Sequence, residues 1–293
     1  MMSVWAPLAH TLQLDVEGER FWMERDERGW WSAANIAAGR DYGFVVNDEG
    51  PFPDPRSPSQ PHGVHARSRT VDHSAFRWTD AGWQAPSLSS AVIYELHAGT
   101  FSKMATFDGV IPSLNHLVAL GVTHVELMPV CEFAGDRGWG YDGVDLFAPH
   151  HAYGGPDGLK RLVDACHARG LAVLLDVVYN HLGPVGNYLA RFGPYFTSRY
   201  KTPWGDAMNF DGAGSDEVRR FVCDNALMWL RDYHIDGLRF DAVHAIVDTS
   251  AVHICEQLGA AVAQLEVASG RRLVVIAESD LNDPRLVRPV EQG

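Results

Sequence analysis

The sequence predicts two parts: a small antiparallel β-sandwich, then an α/β unit built on a parallel sheet. Three observations carry this expectation. Up to about Pro86 the chain is a series of short apolar or aromatic runs broken by turn formers. After Ser90 the pattern becomes strand, helix, strand, repeated with short turns, which calls for parallel strands and right-handed crossovers. Two of the later apolar runs end in a carboxylate, Asp241 and Glu278.

In the first part, Thr11–Val16, Phe21–Met23 and Gly29–Trp31 read as strands. Trp22, Trp30 and Trp31 are expected in the core or at an interface. Residues 47–65 are rich in Pro, Gly and Ser and read as an extended loop. Ala85-Pro86-Ser87 marks the boundary, giving a sandwich over 1–86 and an α/β unit over 87–293.

The second part starts with a strand at Val92–His97. A helix at Leu114–Leu120 is stopped by Gly121, and a second strand covers Val122–Met128. Leu159–Ala168 reads as a helix stopped by Gly170. Leu171–Val178 follows as a continuously apolar strand, the mark of burial on both faces. Val218–Tyr233 is an amphipathic helix before the strand Gly237–Asp241. Ile254–Ala268 is helical and leads into the strand Leu273–Ala277. The connection at 180–216 is unusually long and rich in aromatics, which argues for an ordered lobe beside a cleft.

Composition narrows the function. The chain has 293 residues, 46% hydrophobic and 21% charged, with a net charge of −13. That acidity argues against nucleic acid and anionic membranes as partners, because phosphate binding needs basic patches. No apolar run approaches the roughly 20 residues of a membrane span. The N-terminus lacks a basic and then apolar leader. The four cysteines form no CxxC pair and read as free thiols in a reducing cytoplasm. No metal site and no cofactor are expected.

The chemistry is expected at strand ends. A strand-end Asp often caps the next helix, but Arg239 stands two residues before Asp241, on the same side of the strand. A cation there keeps a carboxylate ionised, as a nucleophile requires. Glu278 leaves an apolar strand, where it either simply faces solvent or has surroundings that suit a protonated general acid. Asp176, Asn180 and His181 form a polar cluster at the tip of the third strand, with His181 also free to bond a sugar hydroxyl. In Gly138-Trp139-Gly140-Tyr141-Asp142, packing is the commoner fate of the rings, and Tyr141 is the better candidate to touch ligand.

Taken in order, Asp176–His181, Gly237–His244 and Ala277-Glu278-Ser279 resemble three signature blocks of the α-amylase family of (β/α)₈ glycoside hydrolases. The β-rich N-terminus resembles the carbohydrate-binding or early-set-like module that precedes the barrel in branching and debranching members. Val4–Pro7, Tyr94–Phe101, Trp139–Val144 and Ala277–Leu286 are more similar to a trehalose-releasing hydrolytic subgroup than to glycogen branching enzymes. The resemblance implies Asp241 as nucleophile, Glu278 as acid and base, and Arg239 as support for Asp241. It implies His181 and His244 bonding the sugar, Tyr141 stacking on it, and an α-glucan substrate such as a maltooligosyl-trehalose.

The resemblance also implies a fourth block with a third catalytic Asp, which has no counterpart after Glu278. The expectation is therefore an incomplete (β/α)₈ TIM barrel ending after about the fifth strand, poorly stable and inactive by itself. A glucan branching transferase and a glycan-binding remnant are the competing readings.

Overall fold

The structure is a computed structural model that describes residues 1–284 and Arg288. Arg285 and Leu286, which carry part of the subgroup resemblance, lie outside the described residues.

The N-terminal part contains two antiparallel sheets. In one, Met2–Trp5 pairs with Trp30–Ala33, which pairs with Glu24–Arg25. In the other the order is Glu19–Trp22, Leu12–Val16, Asp41–Val46, Glu49–Phe52, with Ser68–Arg69 also on Asp41–Val46. Leu12, Leu14, Tyr42 and Phe44 are buried within it. The hairpin after Val16 turns through Glu17 and Gly18, both at positive φ, the backbone a tight two-residue turn demands.

Two expectations fail here. Residues 47–65 are not loop throughout, because Glu49–Phe52 bonds to Asp41–Val46 as an edge strand, where Pro51 is tolerated. Of the three tryptophans, Trp31 is buried and Trp30 half-buried, but Trp22 is exposed. Trp22 lies on the outer strand of its sheet, so no neighbouring strand covers it.

The α/β part is a five-stranded parallel sheet in the order Ile93–Leu96, His124–Leu127, Ala172–Val177, Gly237–Phe240, Val274–Ala277. Ala172–Val177 is central and buried at every position, as its unbroken apolar run predicts. The outermost strands differ. Ile93, Tyr94 and Val275 are exposed at the two edges, so the apolar character of these strands does not bury them. Helices Leu114–Ala119, Gly155–His167, Ser215–Asp232 and Ile254–Ser269 link successive strands. The long connection folds as a short helix, Leu189–Phe192, and a hairpin, Phe196–Thr202 with Gly205–Met208.

The two parts share apolar and ionic contacts. Trp5 meets Tyr195 at 5.4 Å and Phe44 meets Phe192 at 6.1 Å. Arg56 reaches over Phe147 and Phe221 to bond Asp224 at 2.8 Å. A polar clasp then fixes the segment before the sheet. The buried His167 ring bridges Asp80 and Asp236, each at 2.9 Å. Asp236 also accepts from Trp83 Nε1, Arg271 and the Val173 N–H. Trp83 stacks on His167 at 4.6 Å. Burial alone would raise the Asp236 carboxyl, yet these donors, His167 first, hold it below its ordinary value.

Removing a buried partner leaves the remaining charges uncompensated. Asp236→Ala is therefore expected to lower stability by about 3–5 kcal/mol. Arg231→Ala, at an exposed ion pair with Asp232, should cost less than about 1 kcal/mol. Urea titrations of both variants check this contrast.

Candidate active site

The parallel register brings the polar residues of three strands together. Asp176 lies beside Arg239, and Arg239 beside Ile276, two residues before Glu278. Backbone bonds continue past the strand ends, with Asp241 N–H donating to Val177 O and Glu278 N–H to Phe240 O. The side chains are thereby delivered to one end of the sheet.

Arg239 is the hub. Its Nη1 donates to Asp176 Oδ2 at 2.9 Å and Asp241 Oδ1 at 2.7 Å, and its Nη2 lies 3.6 Å from Glu278 Oε2. Burial opposes this charge, but Asp176 and Asp241 outweigh it and push the guanidinium further up. Asn180 Nδ2 donates to the Asp241 backbone oxygen at 2.9 Å and to Oδ2 at 3.0 Å. His181 Nδ1 bonds Asn180 Oδ1, and its ring is stacked on Trp204 at 4.4 Å. Burial holds His181 below its ordinary value.

Tyr141 O–H donates to Asp176 Oδ2 at 2.9 Å. Burial pushes the Asp176 carboxyl up to about 7, with Arg239 and Tyr141 opposing. Among the described residues its buried Oδ1 has no protein partner. The loop carrying Tyr141 depends on close backbone approach. A Cβ at Gly140 would sit 2.0 Å from Pro129 O, at a φ of +93°. One at Gly183 would sit 2.1 Å from Asp142 O, which packs this loop against the segment after His181.

All eight residues singled out from the sequence are described, and seven of them form one connected group. The remaining one, His244, stands beside that group, with its Nε2 3.4 Å from Asp280 Oδ1. Three details differ from expectation. Asp176 reaches Tyr141 and Arg239 rather than Asn180 and His181. Glu278 is not in apolar surroundings, because its strand forms a sheet edge with alternate residues exposed, and Oε2 accepts the Ala242 N–H at 2.7 Å. Trp139 is not packed but 73% exposed.

Sequence reasoning also missed Ala242. It adopts a left-handed φ of +43° while buried, a backbone cost borne where its N–H meets Glu278. An alanine at 242 gives no sequence sign of a left-handed backbone.

One further cluster, Glu132, His150 and His151, brings its ligand-type atoms within 4.8 Å of one another. His150 Nδ1 accepts the Ala152 N–H, so the neutral ring carries its proton on Nε2, which donates to Gly135 O. Both nitrogens are committed, and the group orders the loop rather than presenting three free ligands. Burial pushes Glu132 up to about 8 and His150 down to about 4.

Comparison with known proteins fits this geometry. Residues 83–202 match a family model described as the alpha amylase catalytic domain. It is 53% identical to a malto-oligosyltrehalose trehalohydrolase of Rhizobium sp. (strain M-11), over 98% of this chain and 50% of the relative. It is 33% identical to the 1,4-alpha-glucan branching enzyme GlgB of Pseudoalteromonas atlantica, over 84% of this chain and 38% of that one. A Salmonella typhimurium crystal structure described as an alpha amylase superposes with a TM-score of 0.90 at 40% identity, covering 96% of this chain and 48% of that one. The chain spans about half the length of the trehalohydrolases it matches.

The raised Glu132 carboxyl has a consequence for pH. The folded protein holds a proton that the unfolded chain releases near pH 4.5, so this stabilisation is full below that value and lost as pH rises through about 8. Asp176 acts with the same sign up to about 7. Glu132→Gln should therefore make the decline in thermal midpoint between about pH 7 and 8 shallower. Thermal melts of both proteins from pH 5 to 9 measure it.

Proposed function

We propose that this chain carries the nucleophile and acid of a retaining α-glycosidase that hydrolyses the α-1,4 bond next to the trehalose end of a maltooligosyl-trehalose. The observation that carries the reading is the shared guanidinium, which holds Asp241 and Glu278 at one strand-end cleft. The identity to trehalohydrolases, higher than that to the branching enzyme, supports the choice of bond.

Asp241 attacks the anomeric carbon while Glu278 gives its proton to the departing oxygen, releasing trehalose. Glu278 then takes a proton from water, which displaces the glycosyl group from Asp241 and restores both carboxyls. Arg239 and Asn180 orient Asp241, and Asp176 fixes Arg239. His181, His244 and Tyr141 contact the sugar. In this reading the five parallel strands are the first five of a (β/α)₈ TIM barrel over 87–293, with the lobe 180–216 beside the cleft. Residues 1–86 are the preceding β-sandwich. The setting is cytoplasmic, which four unpaired cysteines support.

In this chain extended to the full length of its trehalohydrolase relatives, an α-glycosyl fluoride bearing a 5-fluoro substituent tests the nucleophile, because fluoride departs without an acid. Mass spectrometry should find one glycosyl unit on the peptide containing Asp241, and none after Asp241→Asn. A folded chain left unlabelled, or labelled elsewhere, overturns the assignment. Glu278→Gln should keep this labelling yet slow release of trehalose from maltotriosyl-trehalose by about 10²–10⁴-fold. New α-1,6 linkages in place of trehalose would make the chain a transferase.

A further inference from the structure

Val64 is buried although it lies in a turn, between the strands Glu49–Phe52 and Ser68–Arg69 of the N-terminal part. It packs against the first half of the long connection. A Cβ at Gly186 would sit 2.3 Å from Val64 Cγ2, and Gly186 takes a φ of +81°, so glycine is what lets the valine come so close. Beside it, His65 Nδ1 bonds the Tyr188 hydroxyl at 2.8 Å. The Tyr188 ring also meets Phe52 at 5.2 Å, and Arg191 reaches Glu49 at 2.7 Å. The N-terminal part therefore grips residues 186–191 at several points.

That grip continues to the active site. Asn187 Nδ2 donates to Gly183 O at 3.3 Å, and the Gly183 N–H donates to Gly143 O at 3.1 Å. A side chain at Gly183 would strike the Asp142 carbonyl, so the segment lies directly on the loop that carries Tyr141. Gly183 follows His181 by two residues, and His181 bonds Asn180. Residues 183–188 are thus held between Val64 and His65 on one side and the Tyr141 loop on the other, with His181 at their start. Interiors packed this closely pass a shift in one wall to the next.

We propose that Val64, with His65 beside it, is a positioning residue for catalysis. It fixes residues 183–188, and through them His181 and Tyr141, which contact the sugar. This rests on the glycosidase reading of the site. Val64 itself touches no substrate, and the N-terminal part serves the reaction as a brace.

Two measurements test the brace. Hydrogen exchange of this chain, followed by mass spectrometry, reads the segment directly. The peptide covering 182–188 should exchange at least about 3-fold faster in Val64→Ala than in the wild type. Release of trehalose from maltotriosyl-trehalose, by this chain extended to the full length of its trehalohydrolase relatives, reads the consequence. There kcat should fall about 10-fold in Val64→Ala, the order of effect that a small misplacement of reacting groups produces. Val16→Ala, at another buried valine of the same part, should lower the thermal midpoint yet keep wild-type exchange at 182–188 and wild-type kcat. Should Val64→Ala fail to fold, His65→Ala decides, because this exposed residue can be truncated without opening the core. It should show the same two effects at about 2- to 3-fold. Unchanged exchange, or faster exchange with wild-type kcat, in the folded variants overturns the brace and leaves the glycosidase reading standing. An equal fall of kcat in Val16→Ala reduces Val64 to general packing and overturns it as well. A full-length wild type that releases no trehalose overturns the reading and the brace together.

Discussion

Three carboxylates can share the mouth of this sheet because one guanidinium stands among them. Asp176 and Asp241 flank the same nitrogen of Arg239, and Glu278 faces the other. Without that cation, like charges converging in a partly buried cleft would repel by several kcal/mol at an effective dielectric constant of about 20. The planar fork of an arginine meets several oxygens at once, which a lysine's point charge does less well. The effect extends deeper into the sheet. Burial and the adjacent Glu95 raise the Glu126 carboxyl, and Arg239 is the charge that opposes them.

Balance at Arg239 is uneven, and the unevenness is useful. Asp176 is fully buried and raised, whereas Asp241 is nearer solvent and tied down by Asn180 as well as Arg239. The buried carboxyl thus anchors the cation, and the other lies nearer solvent. Glu278 has a third environment. It is 37% exposed at its side chain and receives a backbone N–H from a strained neighbour, which fixes its direction without enclosing it. Three chemically similar groups acquire three roles from burial and donors.

Strand order and carboxylate position were legible in the sequence because both are written locally. An apolar run has a definite end, and a charged residue there has a definite side, so Arg239, Asp241 and Glu278 could be placed together before any fold was known. Helix ends were marked as clearly by Gly121 and Gly170, both at positive φ. What escaped was set by distant chain. Trp22 and Trp139 are exposed because of what does not lie over them, a property no local pattern contains. The stacking of Trp204 on His181 joins residues on separate elements, and the left-handed Ala242 backbone meets Glu278 from another strand.

The two ends of the sheet divide the work. At the end where the strands begin, Asp236 is almost completely buried and both its oxygens have donors, so its charge is fully compensated and its partners are locked. At the opposite end Asp176 Oδ1 lacks a protein partner, Ala242 is strained and Glu278 is half-open. Unsatisfied groups are what a ligand can complete, and they persist only where the surrounding structure holds them. The clasp of His167, Asp80 and Asp236 supplies that hold from the far end of the same strands, since Asp236 immediately precedes Gly237 and the strand then runs unbroken to the Arg239–Asp241 pair. A fully compensated end and an unsatisfied end are thus separated by a single strand of four residues.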